Sequence, residues 1–278
     1  MKNFIVVFLF FNISFFAQVQ NESALQKQLT YADSLFRAEN YFDAITEYKR
    51  YIFFSTGKYD KYFVNFRIGE AYKTGGYFHN AIKYFSKALL ETKEKEEFYK
   101  AKIKIIRCRI LMRDFNLLYK EIENLLKDEN FIGWKDEILY WKGWSLMFQM
   151  KWEEAKNIFE KLKNRELEVL CSNAQKQIYS AKTAKFMSYI IPGSGQIYAK
   201  EYFSGLMSFG WNVLTGYITV SAIVAQRVLD AFLIGDILWL RFYRGNLQNI
   251  EKIIKTKNIE ISNKFFYYLQ NEFSGLKP

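Results

Sequence analysis

The chain has 278 residues, half of them hydrophobic and only two of them proline, a composition that favours helices over a β-rich or disordered chain. Its net charge of +11 comes from Lys and Arg interleaved with acidic residues, as on solvated helix faces; nucleic acid is not the expected partner, and anionic lipid head groups account for the excess as economically. Two cysteines and one histidine are too few for a structural zinc site, so no metal and no cofactor is expected.

Residues 1–17 begin Met1-Lys2-Asn3, run through the apolar Phe4-Ile5-Val6-Val7-Phe8-Leu9-Phe10-Phe11 and end at Phe15-Phe16-Ala17. This is the layout of a secretory signal peptide cleaved after Ala17, with an uncleaved anchor as the alternative because Phe15 is bulky. The mature chain would then enter an oxidising compartment. Cys108 and Cys171 could pair there, but nothing in their spacing indicates it, and two separate buried thiols are expected.

Residues 18–164 repeat. Tyr41-Phe42-Asp43-Ala44-Ile45, with Tyr48 and Tyr51, returns as Tyr77-Phe78-His79-Asn80-Ala81-Ile82 with Phe85 and Ala88, and again as Lys151-Trp152-Glu153-Glu154-Ala155 with Phe159 and Leu162. Thirty-seven residues separate Ala44 from Ala81, and twice that separates Ala81 from Ala155. The spacing predicts a further copy at residue 118, where Asp114-Phe115-Asn116-Leu117-Leu118 stands with Ile122 and Leu125 at the right offsets. Four helix hairpins follow, a small residue marking each close crossing and larger side chains filling the groove to the next unit.

These residues resemble the tetratricopeptide repeat family over residues 24–164, most strongly in units one, two and four. The family's proline at the end of each unit is absent, and the period is longer than its usual value of about 34 residues. The resemblance implies a right-handed stack of helix pairs whose concave side, lined by the first helices, holds a peptide or partner protein. Carried over by position, the groove residues are Asp33, Phe36 and Arg37 in unit one, Phe66, Glu70 and Lys73 in unit two, Arg107 in unit three, and Tyr140, Trp144, Met147 and Phe148 in unit four. The alternative for the unit-four aromatics is burial against the helix around 167–178.

Residues 165–190 read as a helical connector. Ile191-Pro192-Gly193-Ser194-Gly195-Gln196-Ile197-Tyr198 follows, and then a segment from Tyr202 to Gln226 without Asp, Glu, Lys or Arg. At 1.5 Å per residue its apolar part gives a helix of roughly 35 Å, enough to cross a bilayer core. Gln196 and Tyr198 suit the membrane interface. After Arg227 a second apolar stretch, 228–243, carries Asp230, Asp236 and Arg241. Residues 188–246 resemble a family of small two-helix membrane modules that open with Pro-Gly-x-Gly-Gln-x-Tyr and carry an acidic residue in the second helix. The resemblance implies a membrane hairpin at 191–245 with Pro192, Gly193, Gly195, Gln196, Tyr198, Gly205 and Asp236 as its marker residues. Asp236 could pair with Arg241 or with a partner subunit. A shallow, non-spanning hairpin is the fallback. Residues 246–278 read as one or two amphipathic helices, on lipid or packed on the repeats.

The glycines of 193–195 lack the Gly-Lys-Ser/Thr of a phosphate loop and the preceding strand of a dinucleotide site. His79 falls in an exposed turn region, and no polar cluster suits nucleophilic catalysis. The expectation is therefore an all-α protein: a tetratricopeptide-like solenoid, a transmembrane hairpin and C-terminal amphipathic helices. It would act as a non-enzymatic scaffold that holds a protein or peptide partner at the membrane, with its repeats on the periplasmic side. Basic residues flanking the hairpin favour the cytoplasmic face instead. The second functional expectation is an accessory subunit of a transport or insertion system in which the hairpin is the active part.

Overall fold

In the computed structural model, which describes residues 24–55 and 59–278, four helix turns close on a residue in the left-handed region: Glu39 (φ 64°), Gly76 (φ 80°), Arg113 (φ 58°) and Met150 (φ 59°). They stand thirty-seven residues apart, so the period seen in side chains recurs in the backbone, third unit included. In each turn the next N–H reaches back five residues: Asn40 to the Leu35 carbonyl at 2.9 Å, Tyr77 to Tyr72 at 2.8 Å, Asp114 to Arg109 at 3.0 Å and Lys151 to Leu146 at 2.9 Å. This bond satisfies a carbonyl that the helix end leaves open and turns the chain back. Residues 1–17, expected to form a signal peptide, lie outside the described residues.

All the regular structure among the described residues is helical. It begins with α1 (24–37), α2 (Tyr41–Phe54), α3 (Lys61–Thr74), α4 (Phe78–Glu91), α5 (Lys95–Met112), α6 (Phe115–Lys127), a 3-10 turn (Glu129–Trp134) and α7 (Lys135–Phe148). Then come α8 (Trp152–Lys161), α9 (Arg165–Gln177), α10 (Ala181–Ile190), α11 (Ser194–Tyr198), α12 (Tyr202–Val224), α13 (Val228–Phe232), a π-helical segment (Leu233–Trp239) and α14 (Leu240–Asn271). The chain divides into two units, one ending at Lys151 and the other running Trp152–Lys277, so the boundary falls within the stretch expected as the fourth repeat.

In the first unit, helix pairs stack in sequence order, an arrangement compatible with a helical repeat. Ala44, Ala81 and Leu118 are fully buried at equivalent places, as are Tyr48, Phe85 and Ile122 four residues later. A Cβ on Gly69 would sit 2.7 Å from the Phe85 ring, so this crossing requires glycine. At the start of α3 the Asp60 carboxylate accepts the Phe63 N–H at 2.8 Å and supplies one of the missing acceptors of the first turn.

In the second unit α12 and the segment after it run back along each other. Gln226, with φ of 56°, closes α12, and from Val228 the chain is helical without a break to Asn271. The return arm therefore merges into α14 rather than ending near Gly245. Among the described residues only α12 is long and apolar enough to cross a membrane by length and composition; a transmembrane hairpin needs more than that. The connector forms two helices, α9 and α10. The C-terminal helix packs on protein: Ile250 and Ile254 bury with Ala184 and Ala199, Asn258 brackets the Tyr179 backbone with two 2.9 Å hydrogen bonds, and Trp152 lies against Phe265 and Phe266.

Candidate functional site

Two surfaces, one in each unit, carry polar side chains that their cores do not absorb. In the first unit they lie on α1, α3, α5 and α7, the first helices of the hairpins. Arg67 Nε is 4.0 Å from Asp33, which also accepts the Tyr48 hydroxyl, and Lys104 Nζ is 2.6 Å from Glu70. The Arg107 guanidinium lies over the Trp141 ring at 4.8 Å. Each of these three contacts joins a residue to the one thirty-four positions later on the next first helix. One inter-repeat rung is thus used twice as an ion pair and once as a cation–π contact. Arg67 also sits over Phe36 at 5.4 Å and Phe63 at 5.3 Å, and Lys104 over Phe66 at 5.6 Å.

Of the expected groove residues, the ladder gathers Asp33, Phe36, Phe66, Glu70 and Arg107. Lys73 lies partly buried in the fields of Arg107 and Lys104. Desolvation, followed by the repulsion from Arg107, lowers its ammonium from the ordinary 10.5 to about 8. Arg37 is exposed at the end of α1 and outside the ladder. Trp144 and Met147 are 3% and 0% exposed, so they are core and not groove wall; Tyr140 and Phe148 flank Trp144, each ring 6.4 Å from it, and remain partly exposed. Sequence reasoning missed Arg67, Lys104 and Trp141, although the thirty-seven-residue offset places all three in one column. Both cysteines are free and buried; burial pushes the Cys108 thiol up to about 11 and Cys171 up to about 12, the direction that disfavours the thiolate.

In the second unit the Pro-Gly-Ser-Gly-Gln-Ile-Tyr stretch is a packing joint. Gly193 has φ of +92°, and a Cβ there would lie 2.2 Å from the Gly205 carbonyl oxygen. A Cβ on Gly195 would meet the Ala184 carbonyl oxygen at 2.3 Å, and one on Gly205 would meet Ile197 at 2.7 Å. Pro192, half-buried, ends α10. Gln196 is fully buried and donates from Nε2 to Asn246 Oδ1; the Tyr198 hydroxyl accepts the Ser180 N–H at 3.2 Å. Both polar groups, expected at the membrane interface, are therefore hydrogen-bonded to protein, Gln196 in the interior and Tyr198 at the surface.

Beside this joint, between the start of α12 and the junction of return arm and α14, is an open cleft of about 840 Å³. Asp236, Arg241, Arg244, Ser208, Asn212 and Asn246 line it, with Trp211 and Phe242 stacked at 5.5 Å as an apolar wall. Asp236 and Arg241 share the cleft without forming an ion pair. Asn212 Nδ2 donates to the Ser208 carbonyl at 2.8 Å, which leaves Asn212 Oδ1, Ser208 Oγ and Asn246 Nδ2 as buried polar atoms without a partner. Asn212 and Ser208 were missed in the sequence, though with Thr215 and Thr219 they form a polar stripe at helical spacing inside the charge-free segment. Among the described residues no group of His, Cys, Asp and Glu gathers as a metal site. No family model matches the chain, and no curated protein and no solved structure is similar to it.

Proposed function

We propose that this chain is a non-enzymatic, membrane-anchored adaptor whose tetratricopeptide-like groove, on the periplasmic side, holds a partner segment bearing a carboxylate. The observation that carries the reading is the ladder on the first helices. Its side chains recur at the repeat period, its charged members stay partly exposed, and it brings the three cations Lys73, Lys104 and Arg107 together with the two carboxylates of Glu70 and Glu137. A partner carboxylate would complete that charge balance, and the neighbouring rings give it apolar contact area.

Anchoring rests on the exposed apolar belt of the second unit. Phe203 and Val224 at the ends of α12 are each 77% exposed, and Leu229 on the return arm 78%. So broad a belt is costly in water and suited to lipid. In this reading α12 and the return arm form a membrane hairpin.

The test is photo-crosslinking in intact cells from labels at Arg37 and Tyr140, with Leu90 on α4 as the control position. A discrete product from the first two sites, lost in Lys73→Glu, is the expected result. The same products from Leu90, or crosslinking indifferent to Lys73→Glu, would overturn the groove.

A further inference from the structure

We propose that the cleft between α12 and the return arm is a binding site for one anionic glycerophospholipid whose headgroup carries a hydroxyl, as in phosphatidylglycerol. The proposal rests on the reading that α12 lies in a bilayer. Arg241 and Arg244 stand three residues apart on one helix face and line the cleft, and neither is ion-paired. Two guanidiniums against the one carboxylate of Asp236 leave a net positive site, and a guanidinium pairs bidentately with phosphate oxygens.

The buried polar atoms sharpen the ligand's chemistry. Asn246 and Asn212 are each only 5% exposed, yet Asn246 Nδ2 and Asn212 Oδ1 have no partner. Asn246 is held from behind by Gln196, so its free amide edge is fixed in the cleft. Phosphate oxygens only accept, which suits Asn246 Nδ2 and Ser208 Oγ. Asn212 Oδ1 and the Asp236 carboxylate only accept as well, and a headgroup hydroxyl supplies the donor they need. The stacked Trp211 and Phe242, with Met207, offer an apolar wall for an acyl chain. The lining residues of α12 fall in its first eleven positions, so the site lies within about 16 Å of the helix start, beside Lys200 and the level where head groups give way to chains.

The experiment uses the full-length protein. Flotation with vesicles of neutral phosphatidylcholine alone first tests insertion, and failure there would sink the membrane reading rather than the site. Native mass spectrometry from detergent then reads retained lipid, with phosphatidylglycerol, phosphatidylcholine and inorganic phosphate as probes. Expected is one retained phosphatidylglycerol, weakened at least about tenfold by Arg241→Gln with Arg244→Gln and about threefold by Ser208→Ala, which leaves the fold intact. Lys252→Gln with Lys255→Gln should leave it unchanged. Equal retention of phosphatidylcholine, equal sensitivity to the lysine pair, or no retained lipid would overturn the site. Displacement by millimolar phosphate would reassign it to a free anion. If the double arginine variant does not fold, Ser208→Ala decides alone.

Discussion

Burial of the Lys73 ammonium, reinforced by the positive field of Arg107, lowers its pKa from 10.5 to about 8. Between those two values the unfolded chain holds more protons than the folded one, so this group's contribution to stability rises with pH across the window and is least favourable below pH 8. Lys73→Met should therefore stabilise the full-length protein at pH 7 by about 2 kcal/mol, and the advantage should fade by pH 10. Urea unfolding of both proteins at the two pH values measures it; an advantage that does not change with pH would mean that packing, not protonation, is responsible. The same residue ties stability to the proposed function, because a partner carboxylate would raise the Lys73 pKa again and bind less well as the ammonium is lost above pH 8. None of this is legible in the sequence. Lys73 stands out there only by position, and its protonation depends on Arg107 and Lys104, brought beside it by stacking.

Helix junctions show what a sequence pattern can and cannot carry. The thirty-seven-residue period predicted all four turns of the first repeats, since each needs a left-handed residue at a fixed place, and the degenerate third unit keeps it at Arg113. The ladder was half legible, because columns follow from the period while the thirty-four-residue rung depends on how neighbouring helices are offset. The Gln196–Asn246 bond had no signal: Gln196 stands out as part of the motif, but nothing local marks Asn246, fifty residues on, as its partner. The glycines between α10, α11 and α12 give a direct test of that joint. Gly195→Ala places a methyl 2.3 Å from a backbone oxygen that cannot rotate away, and should cost about 3 kcal/mol or more. Gly210→Ala, on α12 with nothing within 4 Å of the added carbon, should be neutral or slightly stabilising. Thermal unfolding of the two variants in detergent compares them, and equal effects would remove the steric account of the motif.

For the whole molecule, the composition, the helical class and the contrast between repeats and an apolar segment were all readable in advance. The course of residues 246–278 was not, because they are amphipathic and such a face suits lipid and protein equally. Sidedness is the property that would most constrain partners. Alkaline phosphatase joined after Asn164 and, separately, after Pro278 should be active at both positions if an exported chain enters and leaves the membrane as a hairpin. Activity after Asn164 alone would mean a single crossing by α12, and activity at neither would return the repeats to the cytoplasmic face. Continuity of α14 has a mechanical consequence. Its 32 residues span about 48 Å with no proline, from the return arm to the Glu166 carboxylate on α9 that accepts the Tyr268 hydroxyl. A rod of that length is a lever: tilting it by about 10° about its return-arm end displaces the far end by roughly 8 Å. If α12 lies in a bilayer, as proposed, thickness or tension in the lipid would be felt at α9 as movement, with no break in α14 between to absorb it.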